Sequence, residues 1–160
     1  MLLADLRAAA TRVAKGERMS AESIGRVMQD YVGALNSREA DLSPYFTDDA
    51  TFTTMETGEV VQGREACVAS IRYLHHQVFE GRVVARHDVA GEGVAVLEAS
   101  LEATHVGAMG DLEPTGRHVV IPYCVVYDFD GGRIKAARGY LSFTDLMRQL
   151  TANEQAAARG

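Results

Sequence analysis

From Phe79 onward the chain alternates apolar and polar residues with a period of two through four long segments, 79–90, 93–106, 117–129 and 133–143. The breaks between them are AGEG, GAMGDLEPTG and DGG. Period-two alternation belongs to strands with one buried face, and Gly-bearing breaks of this kind predict an antiparallel meander. A sheet with one apolar face needs a cover, and the preceding sequence supplies it. Ile24, Val27, Met28, Tyr31, Val32 and Leu35 recur at steps of three and four, which predicts an amphipathic helix N-capped by Ser20. DLSPYFTDDA carries Pro44 and allows little more than a turn of helix. ATFTTMETGEVVQG reads as a short hairpin about Gly58, and GREACVASIRYLHHQ as a second helix turning Val68, Ile71, Leu74 and Val78 inward. TDLMRQL closes the ordered chain with a short helical turn. Helices early and strands late predict an α+β fold, a strongly curved antiparallel sheet wrapped around N-terminal helices.

A chain of 160 residues with 47% hydrophobic content makes one domain with an ample core. Residues 20–150 form that domain, 1–19 an N-terminal extension of helical character, and 151–160 a flexible tail. Asp5 and Arg7 interrupt the Ala-rich start, which argues against a secretory leader, and the longest apolar runs are far short of a bilayer span. The reading is cytoplasmic. Sixteen Lys and Arg against 22 Asp and Glu give a net charge of -6 with the basic residues scattered, which disfavours nucleic acid and anionic membrane as partners. Cys67 and Cys124 lie in apolar stretches and read as buried thiols. His75 and His76 are consecutive on a helix and point about 100 degrees apart, so no metal is expected from them. Gly107, Gly110 and Gly116 make neither a dinucleotide fingerprint nor a phosphate loop, and no Gly-x-Ser-x-Gly elbow is present. No cofactor is expected.

The last hairpin gives the firmest geometric expectation. A two-residue turn at Gly131 and Gly132 pairs Val125 with Arg138 and Tyr123 with Tyr140, while a turn one residue earlier pairs Tyr123 with Arg138. In either case alternation places Ile121, Tyr123, Val125 and Tyr127 on one face with Ala136, Arg138, Tyr140 and Ser142. Arg138 is therefore expected to line the interior, where a guanidinium needs a carboxylate or a ligand oxygen. On the preceding strand Glu98 and Glu102 share one face, and Leu97, Leu101 and His105 the other, so either the glutamates or His105 point inward. The glutamates are about 13 Å apart along an extended strand and cannot form one dyad. Tyr31, Tyr73, Tyr123 and Tyr140 are candidate ligand-facing walls, each with a phenol that wants a hydrogen-bond partner.

Several stretches together resemble the SnoaL-like polyketide cyclase branch of the nuclear transport factor 2-like superfamily. They are Thr104-His105-Val106-Gly107, Pro114-Thr115-Gly116-Arg117, Asp130-Gly131-Gly132-Arg133-Ile134 and Leu146-Met147-Arg148-Gln149-Leu150, with YFTDDATF at 45–52 and VVQGREA at 60–66 in the order that superfamily shows. The resemblance covers about residues 20–150 and implies a cone: a bent sheet and three helices enclosing a pocket, often dimeric through the outer sheet face. It implies activities ranging from ring closure and ketosteroid isomerisation to epoxide opening, alongside members with no catalytic role. His105 matches the His of the family's His-x-Gly motif, a position implicated in the pocket of some cyclases. The acids that cyclase-like and epoxide-hydrolase-like relatives carry on the last strand fall here on Ala136, Ser142 and Gly139, so neither mechanism transfers whole.

The leading functional reading is a small-molecule pocket protein acting without a cofactor on an apolar oxygenated substrate as an isomerase, cyclase or epoxide-opening enzyme. Glu98, Glu102 or His105 would move a proton, while Arg138 and a tyrosine stabilise the oxygen that gains charge. A non-catalytic ligand-binding or dimeric interaction module of the same fold is the alternative. A homodimer is expected because Val120, Pro122, Cys124 and Val126 make the opposite sheet face apolar as well.

Overall fold

Ser20 begins the first helix as its residue type predicts, accepting the Ser23 N–H at 3.2 Å. The computed structural model describes residues 19–157, so the expected helical extension before Met19 lies outside the described residues. The chain runs through α1 (Ala21–Leu35), a 3-10 turn (Ser43–Tyr45), β1 (Phe46–Thr54), β2 (Glu59–Gln62) and α2 (Arg64–Arg72), which continues as a π-helical turn (Tyr73–Val78). Four long strands follow, β3 (Phe79–Gly91), β4 (Val94–His105), β5 (His118–Asp130) and β6 (Arg133–Leu141), and then α3 (Phe143–Ala157). The last helix passes the expected end at Leu150, since no glycine or proline interrupts residues 151–158.

All six strands belong to one curved sheet in the order β2-β1-β6-β5-β4-β3. The meander from β3 to β6 is antiparallel, as the alternation predicts. One pairing is not: β1 lies parallel to β6, with Thr53 opposite Arg138. The sheet is therefore mixed. α1 covers it with Ile24, Met28, Tyr31 and Leu35, all at most 4% exposed. These meet Phe46, Leu97, Tyr127 and Ile134 in a first core cluster. A second cluster at the other end of the sheet gathers Phe79, Leu101, Ile121, Leu146 and Leu150, the last two from α3.

β6 contains the feature that most changes the reading of the sequence. The DGG turn is the two-residue turn expected, with Asp130 opposite Arg133 and Phe129 opposite Ile134. Lys135 is then an extra, unpaired residue, and the register resumes with Asp128 opposite Ala136 and Val126 opposite Arg138. A bulge of one residue exchanges the faces of everything beyond it. Ile134 and Ala137, three apart, are both buried, whereas strict alternation would have carried Arg138 inward with Ile134. The expectation that Arg138 and Tyr140 share a face with Tyr123 is corrected: they share one with Cys124, Val126 and Asp128.

Two side-chain amides tie helices to strand backbone that has no strand partner on that side. Asn36, the C-cap of α1, donates from Nδ2 to the Val83 carbonyl at 2.9 Å and accepts the Val83 N–H at 2.7 Å. Val83 lies on β3, the sheet edge, and the amide takes the place of a missing neighbour strand. Gln149 does the same from α3, pairing both backbone groups of Val120 at 3.0 Å where β5 outruns the end of β6. Asn36→Ala should therefore remove two hydrogen bonds and lower unfolding stability by about 1–3 kcal/mol, read as a reduced urea midpoint with unchanged slope. An unchanged midpoint would mean that α1 is held by apolar contact alone.

Candidate functional site

The inner face of the sheet is built from alternating residues of β4 and β5. β4 turns Ala95, Leu97, Ala99, Leu101, Ala103 and His105 inward, all at most 7% exposed. The open choice on this strand is thereby settled: Glu98 and Glu102 point out. Glu98 accepts from His87 Nδ1 at 2.9 Å, and Glu102 lies 3.6 Å from Arg82 and 3.9 Å from Arg86. Both are partnered on the outer face and neither reaches the interior. Arg138 lies on that outer face too, where Asp128 accepts from both of its terminal nitrogens, at 2.5 and 3.3 Å. The carboxylate holds the guanidinium still further above its already high range. Arg138 is thus partnered by its cross-strand diagonal neighbour.

Phenols occupy the interior instead. Tyr31 from α1 and Tyr127 from β5 are 2% and 3% exposed and meet edge-on with ring centroids 5.8 Å apart. Tyr45 and Phe46 flank Tyr31 at 5.4 and 5.8 Å. Tyr123, four residues back along the same strand, packs against both core clusters. Burial pushes the phenols of Tyr31, Tyr123 and Tyr127 well above the ordinary tyrosine range. The Tyr31 and Tyr123 phenols push Tyr127 further, while at Tyr31 the push from Tyr123 is opposed by the hydrogen bond with Tyr127. Tyr127 was not among the residues singled out for a ligand-facing role, yet its period-two relation to Tyr123 carried the signal.

His105 is the inward polar residue at the far end of β4 and is wholly buried. The loop to β5 folds back over it. Thr115 donates its backbone N–H to His105 Nδ1 at 3.1 Å, Gly116 donates to the His105 carbonyl, and Arg117 accepts the His105 N–H. Gly107 carries the chain so close to the π-helical turn that a Cβ would stand 2.1 Å from the Gln77 carbonyl oxygen. The Thr-His-Val-Gly run is thus a crossing point of backbone, fixed at one end by imidazole and at the other by the missing side chain.

The remaining predicted residues lie elsewhere. Tyr73 is exposed and donates to the Ala108 carbonyl at 2.9 Å, holding the same loop down. Tyr140 is exposed on the outer face beside Cys124 and Pro122, in an open depression of about 460 Å3 that Glu98 and His87 also line. Cys67 is buried, but Cys124 is only half-buried because it faces outward. His75 donates from Nδ1 to the Ile71 carbonyl at 2.9 Å, and burial lowers its pKa. Among the described residues no group of three His, Cys, Asp or Glu is placed to hold a metal ion, and no helix is long and apolar enough to cross a membrane.

A fold of this order, with phenols and one imidazole inside and the charges outside, defines a curved-sheet α+β domain with a polar-tipped apolar interior. The family model for SnoaL-like polyketide cyclase matches residues 25–150, and the chain belongs to that family. Solved structures agree on the fold. A SnoaL-like polyketide cyclase from Jannaschia sp. CCS1 superposes with a TM-score of 0.75 at 15% identity, over 85% of this chain and 97% of that one. A protein with ketosteroid isomerase-like fold from Catenulispora acidiphila, in complex with trimethylamine, gives 0.63 at 18% identity, over 77% and 90%. An epoxide hydrolase of the LEH-like type from M. tuberculosis gives 0.65 at 16% identity, over 86% and 96%. A search of curated protein sequences finds no match.

The buried phenols set a pH dependence. In the folded state their pKa values are raised, so the unfolded chain sheds those protons first, above about pH 10. Stability contributed by the neutral phenols is full below that pH and is lost as pH rises through the raised values. With three such groups the slope reaches at most about 4 kcal/mol per pH unit. Absorbance at 295 nm should show three of the six tyrosines ionising only together with loss of the far-ultraviolet circular dichroism signal. Smooth ionisation of all six in the folded protein would show that Tyr31, Tyr123 and Tyr127 are in contact with water.

Proposed function

We propose that this member of the SnoaL-like family binds a small, mostly apolar, oxygen-bearing molecule inside the curved sheet, with phenol and imidazole donors meeting the oxygen. The observation that carries the reading is the sorting of polar groups across β4, β5 and β6: Tyr123, Tyr127 and His105 inward, Glu98, Glu102 and Arg138 outward. Such an interior can donate hydrogen bonds to a guest, and its sheet wall offers no carboxylate to take a proton. The carboxylate and guanidinium roles expected from the sequence lose their support with that placement.

A second reading retains turnover. The family includes cyclases, and the ketosteroid isomerase-like and epoxide hydrolase neighbours share the fold. Phenols and an imidazole aimed at an oxygen that gains negative charge would stabilise it electrostatically, without a cofactor, as in isomerisation, ring closure or epoxide opening. On this reading the proton acceptor is a group other than Glu98 and Glu102.

The outer face supports a further proposal, that a second copy of the chain covers it. Val89, Val96, Val120, Pro122 and Tyr140 make it apolar, with Val120 and Tyr140 more than 40% exposed. Its charged groups have partners on the same face, Glu98 beside His87, Arg138 with Asp128 and Glu102 between Arg82 and Arg86, so a covering copy need not supply them. Light scattering at micromolar concentration should give a mass near twice 17.3 kDa. A mass of one chain defeats this proposal.

The binding reading is tested by native mass spectrometry for a co-purified small molecule and by titration of that molecule into stripped protein. Tyr127→Phe and Tyr123→Phe should each weaken binding by about five- to tenfold, the loss of roughly 1 kcal/mol expected for one hydrogen bond. Arg138→Met, on the outer face, should change it by less than about twofold. A large loss in the arginine variant with unaffected tyrosine variants would place the guest on the outside.

A further inference from the structure

Across the outer face the strand register sets four side chains in one row: His87 on β3 opposite Glu98 on β4, Glu98 opposite Cys124 on β5, and Cys124 opposite Tyr140 on β6. The row crosses the open depression of about 460 Å3 that Val89, Val96 and Pro122 also line. The acids of this face are held unequally. Asp128 meets Arg138, and Glu102 lies near Arg82 and Arg86, guanidiniums that stay charged at any working pH. Among the described residues the one ion-pair partner of Glu98 is His87, whose Nδ1 stands 2.9 Å from Oε2. The other charged and titratable groups near His87 are turned elsewhere. On its own strand Arg86 reaches Ser100 and Glu102, and Asp88 pairs with Leu97, an inner-face residue. Cys124 and Tyr140 lie in the row beyond Glu98. α1, which packs on β3 from the inner side, carries Glu22, Arg26 and Asp30 across the sheet from His87. His118 shares the outer face but pairs with Thr104, six residues along from Glu98 and so about 20 Å away.

Both members of the pair are wet in the single chain, with side chains 77% and 61% exposed, and an ion pair in water contributes little. Covering the depression changes the balance. With a neutral imidazole, Glu98 would be left as a carboxylate with one hydrogen bond and no counter-charge where water has been displaced, whereas a protonated imidazole makes the pair neutral as a whole. We propose that a second copy of the chain docks on this face with uptake of one proton at the His87–Glu98 pair of each copy, so that mild acid tightens the dimer. The proposal rests on the reading that a second copy covers the outer face, and it adds the regulation of that contact. The sign follows from linkage: association that binds protons is favoured as pH falls through the histidine range and is weakened as pH rises through it. One proton per copy changes the dissociation constant by at most about a hundredfold per pH unit.

The test is the dissociation constant of the full chain at about pH 8 and about pH 6 by fluorescence-detected sedimentation. Salt is held at about 0.15 M, where repulsion between two chains of net charge -6 is screened beyond about 8 Å. The natural chain should have a constant lower by about tenfold or more at the acid pH. In Glu98→Gln, which removes the charge and keeps the shape, the two constants should agree within about twofold, and the dimer at the alkaline pH should be at least as tight as that of the natural chain. His118→Gln should keep the full dependence. Both replaced side chains are exposed, so each variant should retain the circular dichroism of the natural chain. Equal constants in the natural chain, a dependence that survives in Glu98→Gln, or one that is lost in His118→Gln overturns the proposal and leaves the dimer standing. The mass of one chain at both pH values, up to about 0.1 mM, ends both readings. If the dimer persists at nanomolar concentration, exchange between tagged and untagged chains is read instead. It should be about tenfold or more faster at the alkaline pH, and equal rates overturn the proposal.

Discussion

The one extra residue in β6 governs how this molecule separates charge from its interior. Ile134 must be buried because it packs against Phe46 on the parallel neighbour strand, at the heart of the first cluster. On an unbroken strand the side chain four positions on, Arg138, would follow it inward, and a buried guanidinium without a partner costs several kcal/mol. Placing Lys135 outside the ladder lets Ile134 and Ala137 both face in. Arg138 then meets Asp128 at the half-exposed surface. One residue's worth of register thus decides both the packing of the core and the sign of the sheet's two faces.

With the strands so arranged, the edges become the remaining problem, and the helices solve it with amides as well as with apolar area. β3 is an edge strand, and β5 is left unpaired on one side beyond Tyr123 because β6 stops at Leu141. Asn36 and Gln149 each satisfy both backbone groups of one residue at those places, Val83 and Val120. Each amide also sets where its helix ends or lies, so that α1 and α3 close opposite ends of the same interior. Tyr31 and Tyr127 sit in the cluster under the first cover, Tyr123 touches both clusters, and His105 lies beside Phe79 of the second.

The fold was largely legible because its signals are local. Period two marked all four long strands to within a residue or two, the three- and four-residue steps of α1 named its buried side, and Ser20 caps where a serine should. The parallel pairing of β1 with β6 was not legible, since it joins segments some 85 positions apart and leaves no local pattern. On β4 the sequence offered two faces, and packing chose the one rich in Ala and Leu over the one carrying Glu98 and Glu102. On β6 it misled: the DGG turn was read correctly, but alternation was carried straight through Lys135. The only hint was the pair Ile134 and Ala137, apolar at a spacing of three. Bulges answer to tertiary demand, here the burial of Ile134, and a single strand's pattern does not contain its neighbour's.

The same bulge bears on chemistry. In a curved sheet of this kind, which residues of β5 and β6 can touch a guest is a matter of parity, and parity beyond a bulge is reversed. Shifting the extra residue from position 135 to the far end of β6 would present Arg138 and Tyr140 to the interior and turn Ala137 and Gly139 out. The interior would then hold a cation able to neutralise an anionic guest. In the register adopted, the inward side chains of β6 are Ile134, Ala137, Gly139 and Leu141, and the polar groups left inside are Tyr31, Tyr123, Tyr127 and His105. All four can donate a hydrogen bond while neutral, and the raised phenol pKa values keep three of them neutral at any ordinary pH. A neutral, donor-bearing interior would suit the oxygen acceptor proposed above, without the desolvation cost of burying an ion. The register of β6, rather than the identity of any single acid, therefore sets which polar groups this interior holds.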